Sequence, residues 1–426
     1  MIKSLIAAAG LCAAQPGAPA LSQSPDIFVE AALDANPRIG EARARVRAAR
    51  ARARGVRAQF RPQVTATLSG GISERSAELE DGGDFEETTS PTTAAVRLNH
   101  TVYAGGARAL AARNARLNRT RAEIQLLAVE REIVSETMSG YNEWLSARRR
   151  IQVERDSAAL IAEQIEAAAE RLREGAGSRT DLSQARTRLA EVEARLASAI
   201  ASEQVSRTRL SALTMMETVT PVSEGALFSP AVPASLEEAL EFAMLEDPDL
   251  LSAELAERQA RLAAMTADRR YAPNLALTAR AQTVTDPSPL LDRDDEVRAT
   301  LSLTIPLYAG GARPAERAAA LADRDAVRLA VMNLRVGVRA RVAAQWAVLE
   351  LARQSVRAQT SRVEFARVAL DGVLEGRDAG LSSTLDILDA ERELLAARVG
   401  SLDAQAALAQ ARIDLAASTM SLRVLR

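Results

Sequence analysis

The sequence predicts a mainly α protein with a smaller β component, laid out as two tandem copies of one unit. Three observations carry that expectation. Matching residues recur at a nearly constant offset through the 426-residue chain. Long stretches follow helical spacing with only 3% aromatic residues, as suits Ala-rich helices packed side by side. Within each copy two segments switch to strict alternation of apolar and polar side chains, the period of a strand.

The chain opens with Lys3, a short apolar run from Leu5 to Ala14, and the small-residue step Ala18-Pro19-Ala20. This pattern predicts a secretory signal peptide over residues 1–20, too short to span a membrane as a helix. Cys12, the sole cysteine, lies within it. Ala9 and Leu11 occupy the places where a lipid-anchor signal would carry Leu and a small residue, so no lipid anchor is expected. The remainder lacks cysteine and can enter an oxidising compartment without disulfides. No later stretch reaches the roughly 18 apolar residues of a membrane helix. An exported chain of this kind is either soluble or a β-barrel.

The repeat supports units at 21–216 and 235–426, joined by a linker at 217–234 that carries Pro221, Pro230 and Pro233. Asn36-Pro37 answers to Asp247-Pro248 and Phe60 to Tyr271, both at an offset of 211. From Tyr103-Ala104-Gly105-Gly106 and Tyr308-Ala309-Gly310-Gly311 onward the offset is 205 and stays there, pairing Gly175 with Gly380 and Asp181 with Asp386. A single length change between Pro62 and Tyr103 marks an exposed loop, where insertions are tolerated.

Each unit begins with a short helix ended at the Asn-Pro or Asp-Pro step, whose side chain caps the next helix while Pro fits its first turn. Strands are expected at about 63–70, 94–102, 274–284 and 296–307. Val297, Ala299, Leu301, Leu303 and Ile305 alternate with Arg298, Thr300, Ser302 and Thr304. A half-buried soluble strand shows the same alternation as a membrane strand, so aromatic placement decides. Phe60, Tyr103, Tyr271 and Tyr308 stand beside the four strand ends nearest the helices, where a membrane interface favours them. The opposite ends are expected to be acidic loops, one with Glu74, Glu78, Glu80, Asp81, Asp84, Glu86 and Glu87, the other with Asp286, Asp292, Asp294 and Asp295.

Helical spacing then runs from the Gly-Gly step to about Arg173, and again from Ala312 to Leu374. Such a helix is on the order of 100 Å long at ~1.5 Å per residue. A turn at Gly175 or Gly380 leads into a returning helix with a coiled-coil seam, Leu182, Ala185, Leu189, Val192 and Leu196 in one copy, Ile387, Ala390, Leu394 and Ala397 in the other.

Four strands leave open sheet edges that lipid does not tolerate, and small barrels need at least about eight strands. Several copies must therefore pool strands, eight or twelve in all, into a barrel continued by helices. That describes a conduit. A net charge of −2 offers no nucleic-acid footprint. His100 stands alone in a strand, and no nucleophile–base pair or phosphate loop is present, so neither metal, cofactor nor enzymatic chemistry is expected. A periplasmic adaptor or a structural coiled-coil protein of the envelope are the alternatives, and neither uses the paired strands.

With these features the chain resembles the TolC family of outer-membrane efflux proteins, on the tandem repeat, the Leu-Tyr-Ala-Gly-Gly after the last strand and the Gly-x5-Asp-x3-Ala pattern at both helical turns. The resemblance implies a homotrimer with a twelve-stranded barrel in outer-membrane lipid and a twelve-helix tunnel reaching into the periplasm. It also implies a periplasmic adaptor and an inner-membrane transporter as partners, in a tripartite efflux pump or, for a non-lipidated chain, type I secretion. Asp386 and Asp389 match the acidic rings of the family's constriction. Thr180 and Asp181 match contacts that hold the tunnel shut, whose usual Tyr and Arg partners are replaced here by Arg377 and Ser382. Arg377 is expected to serve as cationic partner of Asp181. Arg173, Gly175, Leu374 and Gly376 match adaptor-docking tips.

Overall fold

A computed structural model describes residues 25–78, 84–175, 177–217, 227–288, 291–378 and 381–419. The signal peptide, Glu80 and Asp81 of the first acidic loop, Pro221 of the linker and Gly380 lie outside the described residues. The first unit runs α1 (Asp26–Ala35), α2 (Pro37–Ala58), β1 (Gln63–Gly70), β2 (Ser73–Glu78), β3 (Asp84–Thr89), β4 (Thr92–Ala104), α3 (Ala107–Arg173) and α4 (Arg179–Thr214). The second runs α5 (Leu236–Glu246), α6 (Pro248–Arg269), β5 (Asn274–Ser288), β6 (Leu291–Thr304), α7 (Ala312–Asp378) and α8 (Thr384–Thr419). No described helix is long and apolar enough to cross a membrane.

The cap chemistry read from the sequence is present at both α–α steps. Asn36 Oδ1 accepts from the backbone N–H of Arg38 at 3.0 Å, and Asp247 Oδ1 from that of Leu250 at 3.0 Å. Pro37 and Pro248 take the first helical position, where a missing N–H costs nothing.

The main sheet is antiparallel in the order β1-β4-β5-β6, so the two units meet at the β4–β5 pair and β1 and β6 are its open edges. Val64, Leu98, Ala279 and Ala299 share one row across it, and Ala66, Val96, Ala281 and Val297 the next. Many of these apolar side chains are bare in one chain, Val297 at 86% exposure. The other face carries Gln63, Asn99, Thr278 and Thr300. Apolar toward lipid and polar toward a lumen is the pattern of a membrane barrel.

The strand limits differ from expectation at both ends. β6 stops at Thr304, short of 307, because Pro306 has no N–H to extend the ladder. Tyr103 lies inside β4, which continues to Ala104. There the register shifts between Thr101 and Tyr103. This bulge turns Tyr103 onto the apolar face opposite Leu275. At the far end the acidic segments are strands and not loops: Asp286 belongs to β5, Asp292, Asp294 and Asp295 to β6, and β2 pairs with β3 as a separate hairpin. Paired backbone continues there because a two-stranded hairpin has no buried face that demands apolar residues. Asp286 Oδ2 accepts from Ser90 N at 2.6 Å and ties the two hairpins together.

Gly105-Gly106 and Gly310-Gly311 join strand to long helix with φ between 58° and 84°. A Cβ on Gly105 would lie 2.1 Å from the Cβ of Ala272, whereas one on Gly310, at the same φ of 58°, would meet nothing within 4 Å. Within one chain Gly310→Ala therefore meets the roughly 1–2 kcal/mol cost of a left-handed Ala, whereas Gly105→Ala also meets Ala272 and should lose distinctly more. Urea midpoints of the two variants compare them directly.

Among the described residues five apolar clusters hold the helices, and the three largest are these. At mid-height Phe28 and Val29 of α1 pack with Val134, Met138, Tyr141 and Trp144 of α3, Leu210 of α4 and Ile413 of α8. Ala239 and Ala243 of α5 pack on Val338, Val342 and Leu349 of α7 and Leu415 of α8. Toward the tip, Ala366 and Leu370 of α7 meet Ile387, Leu394 and Ala397 of α8, the expected seam. Ala185 and Val192 of the α4 seam are fully buried as well.

Candidate functional site

The hairpin tips α3–α4 and α7–α8 bring most of the sequence-matched site residues together. At the first, Gly175 has φ 76°, a left-handed turn that glycine takes without strain. Ser178 and Asp181 then form a reciprocal capping box, Ser178 Oγ accepting from Thr180 N at 3.0 Å and Asp181 Oδ2 from Ser178 N at 3.4 Å. The second tip repeats the device. Asp386 Oδ2 accepts from Ser383 N at 2.8 Å and from Ser383 Oγ at 2.7 Å, while Asp386 N donates to Ser383 Oγ at 3.2 Å. The Ser383 hydroxyl and then its N–H hold the Asp386 carboxyl below its ordinary pKa, so it is ionised throughout the physiological range.

Asp389, one turn further along α8, faces α4. Its Oδ1 lies 3.4 Å from Arg188 Nη2, and the same guanidinium reaches Glu191 at 3.1 Å. Arg377, near the end of α7, donates to Gln164 Oε1 of α3 at 3.4 Å. Arg171 of α3 donates to Thr384 Oγ1 at the start of α8 at 3.1 Å. The two hairpins are thus tied at their tips by arginines: Arg188 from the first hairpin to Asp389, Arg171 to Thr384, and Arg377 from the second hairpin to Gln164. Asp181 serves its own helix end. Arg173 pairs with Glu170 on the same helix. Leu374 packs on the α7–α8 cluster, and Gly376 sits so near the returning chain that a Cβ would come within 2.5 Å of Ser382 Oγ. Its carbonyl accepts from Leu381 N at 2.7 Å.

Sequence reasoning missed Arg188, Arg171, Gln164 and Glu391. Glu391 is buried between α8 and α3, and its carboxyl is pushed up to about 7 by burial and by the nearby Glu163, against a smaller opposing effect of Arg377. A signal was available: at the offset of 205, Glu391 answers to Arg186, a charge inversion within an otherwise matched seam.

At the barrel end, Phe60 lies under the guanidinium of Arg108 at 5.5 Å, and Tyr271 hydrogen-bonds Glu316. Tyr103 is half exposed, and Tyr308 is bare at 87%. All four aromatics lie at the junction of strands and helices.

This arrangement agrees with what the chain is similar to. Outer membrane efflux protein BepC of Brucella suis is 28% identical over 416 residues, 95% of this chain and 87% of that protein. Cobalt-zinc-cadmium resistance protein CzcC of Cupriavidus metallidurans is 26% identical over 321 residues, 74% of each chain. The crystal structure of the Campylobacter jejuni CmeC outer membrane channel superposes with a TM-score of 0.81 at 16% identity, covering 93% of this chain and 85% of that one. The sequence profile of the family described as outer membrane efflux protein matches residues 28–214 and 239–419, one stretch in each repeat. With both repeats matched, the chain is a member of the outer membrane efflux protein family.

Proposed function

We propose that three copies of this chain close into one twelve-stranded barrel continued by a twelve-helix tunnel, a passive exit duct gated at its helical tips. The observation that carries this reading is the four-stranded sheet with both edges open and an apolar outer face. Lipid offers no partners for the backbone groups of β1 and β6, so β6 of one copy must pair with β1 of the next. In this reading the duct works with an inner-membrane transporter and a periplasmic adaptor, as part of a tripartite efflux pump or type I secretion system. The adaptor docks near Arg173, Gly175, Leu374 and Gly376. Phe60, Tyr103, Tyr271 and Tyr308 mark the periplasmic membrane boundary, and the division at 217–234 separates two units that each supply strands and a helical hairpin.

Asp386 and Asp389 are proposed as two acidic rings at the tip, each present three times. Rings of carboxylates favour cations. Arg188 neutralises part of the Asp389 ring, which leaves the ionised Asp386 as the stronger determinant. Thr180, Asp181 and Arg377 are proposed to help keep the tip shut, Arg377 through α3 within its own chain and toward Asp181 across copies.

Single-channel recording of the purified full chain in planar bilayers tests this. Small cation-selective pores are expected, with selectivity lost in Asp386→Ala/Asp389→Ala and resting conductance raised by Arg377→Ala. Folded β-rich oligomers that form no pore would overturn the duct and favour an adaptor or scaffold. Unchanged selectivity in the double variant would move the gate elsewhere, and unchanged resting conductance in Arg377→Ala would remove that residue from the closing contacts.

A further inference from the structure

The polar face of the main sheet carries one row unlike the others. Thr65 of β1 pairs with Arg97 of β4, Arg97 with Arg280 of β5, and Arg280 with Arg298 of β6. Three arginines therefore stand side by side on consecutive strands, at strand spacings of about 4.8 Å. They belong to the face opposite the apolar rows of Ala66, Val96, Ala281 and Val297. Like charges on directly paired positions repel. The sheet supplies little to offset this. In the adjoining row Thr67, Ala95, Gln282 and Glu296 face the same way. Glu296 alone is acidic, shared between Arg298 at 2.5 Å and Gln282 at 2.9 Å. On the other side stand Gln63, Asn99, Thr278 and Thr300. The next acid on this face, Asp294, lies two residues beyond Glu296. Arg280 Nε is buried and has no hydrogen-bond partner.

We infer that Arg97, Arg280 and Arg298 form a luminal binding belt for small oxyanions, phosphate- or carboxylate-bearing solutes that pass through the barrel. The belt rests on the three-copy barrel proposed above, which multiplies three arginines per chain to nine, against three copies of Glu296. Because barrel strands tilt by about 35–45°, each row climbs as it crosses the wall, and the nine guanidinium groups fill a band on the order of 6 Å high. A guanidinium offers paired donors that match an oxyanion, and an anion bridging two of them relieves their repulsion. Inside a low-dielectric wall the summed field concentrates anions. The duct then carries two filters of opposite sign, acidic at the periplasmic tip and basic in the barrel.

The test is Arg97→Gln/Arg280→Gln/Arg298→Gln in the full chain, made both in the wild type and in an Asp386→Asn/Asp389→Asn background. Inorganic phosphate is the probe. Current block by phosphate added at the barrel end should weaken roughly tenfold or more when the arginines go, and the reversal potential in a KCl gradient should move toward cations. Line broadening of the phosphorus resonance by the detergent-purified oligomer, lost in the arginine variant, reads the site without a pore. Arg280→Gln alone, with a smaller loss of the same sign, serves if the triple variant does not assemble. Phosphate block, reversal potential and line width all indifferent to the arginines would overturn the belt. An acid-ring effect seen together with that indifference would leave the duct standing and remove only the belt. Line broadening that depends on the arginines in an oligomer without conductance would keep the arginine site for oxyanions and overturn the duct together with the site's luminal placement.

Discussion

Trp144→Ala is expected to lower the unfolding free energy by about 3–5 kcal/mol, the loss typical of a large buried ring. Trp144 of α3 is 2% exposed. It stacks edge-on against Tyr141 at 6.0 Å and Phe28 at 6.4 Å, and Tyr141 continues the stack to Phe228 at 5.2 Å. The cluster is where the two units meet, since Ile413 of α8 reaches the same core. Its indole N–H donates to Glu203 of α4 at 2.8 Å, and Arg148 covers the ring at 5.3 Å. Removing the side chain therefore opens a cavity and leaves Glu203 without its donor. Trp144→Phe keeps most of the buried area and should cost about 1–2 kcal/mol. Trp346→Ala, at a half-buried position on α7, serves as the comparison. Urea titration of the detergent-folded protein followed by helical circular dichroism measures all three. A Trp144→Ala loss no greater than that of Trp346→Ala would remove the mid-height cluster as the anchor between the units.

The helices and their ends were legible because their signals are local. Asn36 and Asp247 cap the following helix through side-chain atoms two or three residues away, and proline at the first position adds a second, independent mark. The seam at Ile387, Leu394 and Ala397 could be read because spacing alone puts those residues on one face. The outer hairpins are hard to read from sequence because a run of acidic residues fits a loop and an exposed hairpin equally well. A two-stranded ribbon has no buried face to demand apolar residues, so Asp292 and Asp294 sit in β6 without conflict. Contacts between hairpins were beyond sequence reasoning for another reason. Whether Asp389 meets Arg188 depends on how far one hairpin is rotated against the other, and that rotation is set by packing along dozens of residues. The arginine row is an intermediate case. Arg97, Arg280 and Arg298 each read as a polar position of an alternating strand, but their shared level requires the β4–β5 register, which joins strands from different repeats.

Glu391 gives the second large effect, and its sign follows from its surroundings. The side chain is 8% exposed, Oε2 has no hydrogen-bond partner, and Glu163 of α3 adds repulsion that Arg377 of α7 offsets only in part. Folding therefore raises the carboxyl from its ordinary 4.5 to about 7. Between those values the folded chain holds a proton that the unfolded chain has released. Stability should fall as pH rises through this window and level off above about 7. The full span corresponds to about 3 kcal/mol per chain. Glu391→Gln keeps the shape and removes the charge, so it should flatten that part of the stability profile and raise stability at pH 8. Glu163→Gln should act in the same direction, more weakly, by relieving the repulsion. Glu393→Gln, which disturbs only an exposed pair with Arg362 at 2.8 Å, should leave the slope intact. Urea midpoints taken from pH 4.5 to 8 decide the matter. A wild-type profile already flat over that range would mean that water reaches Glu391 in the assembled protein. A slope that survives Glu391→Gln would assign the titration to another group. Because the Glu391 charge on α8 is repelled by Glu163 of α3, the same ionisation should loosen α8 against α3. Resting conductance is then expected to rise with pH in the wild type and to lose that rise in Glu391→Gln.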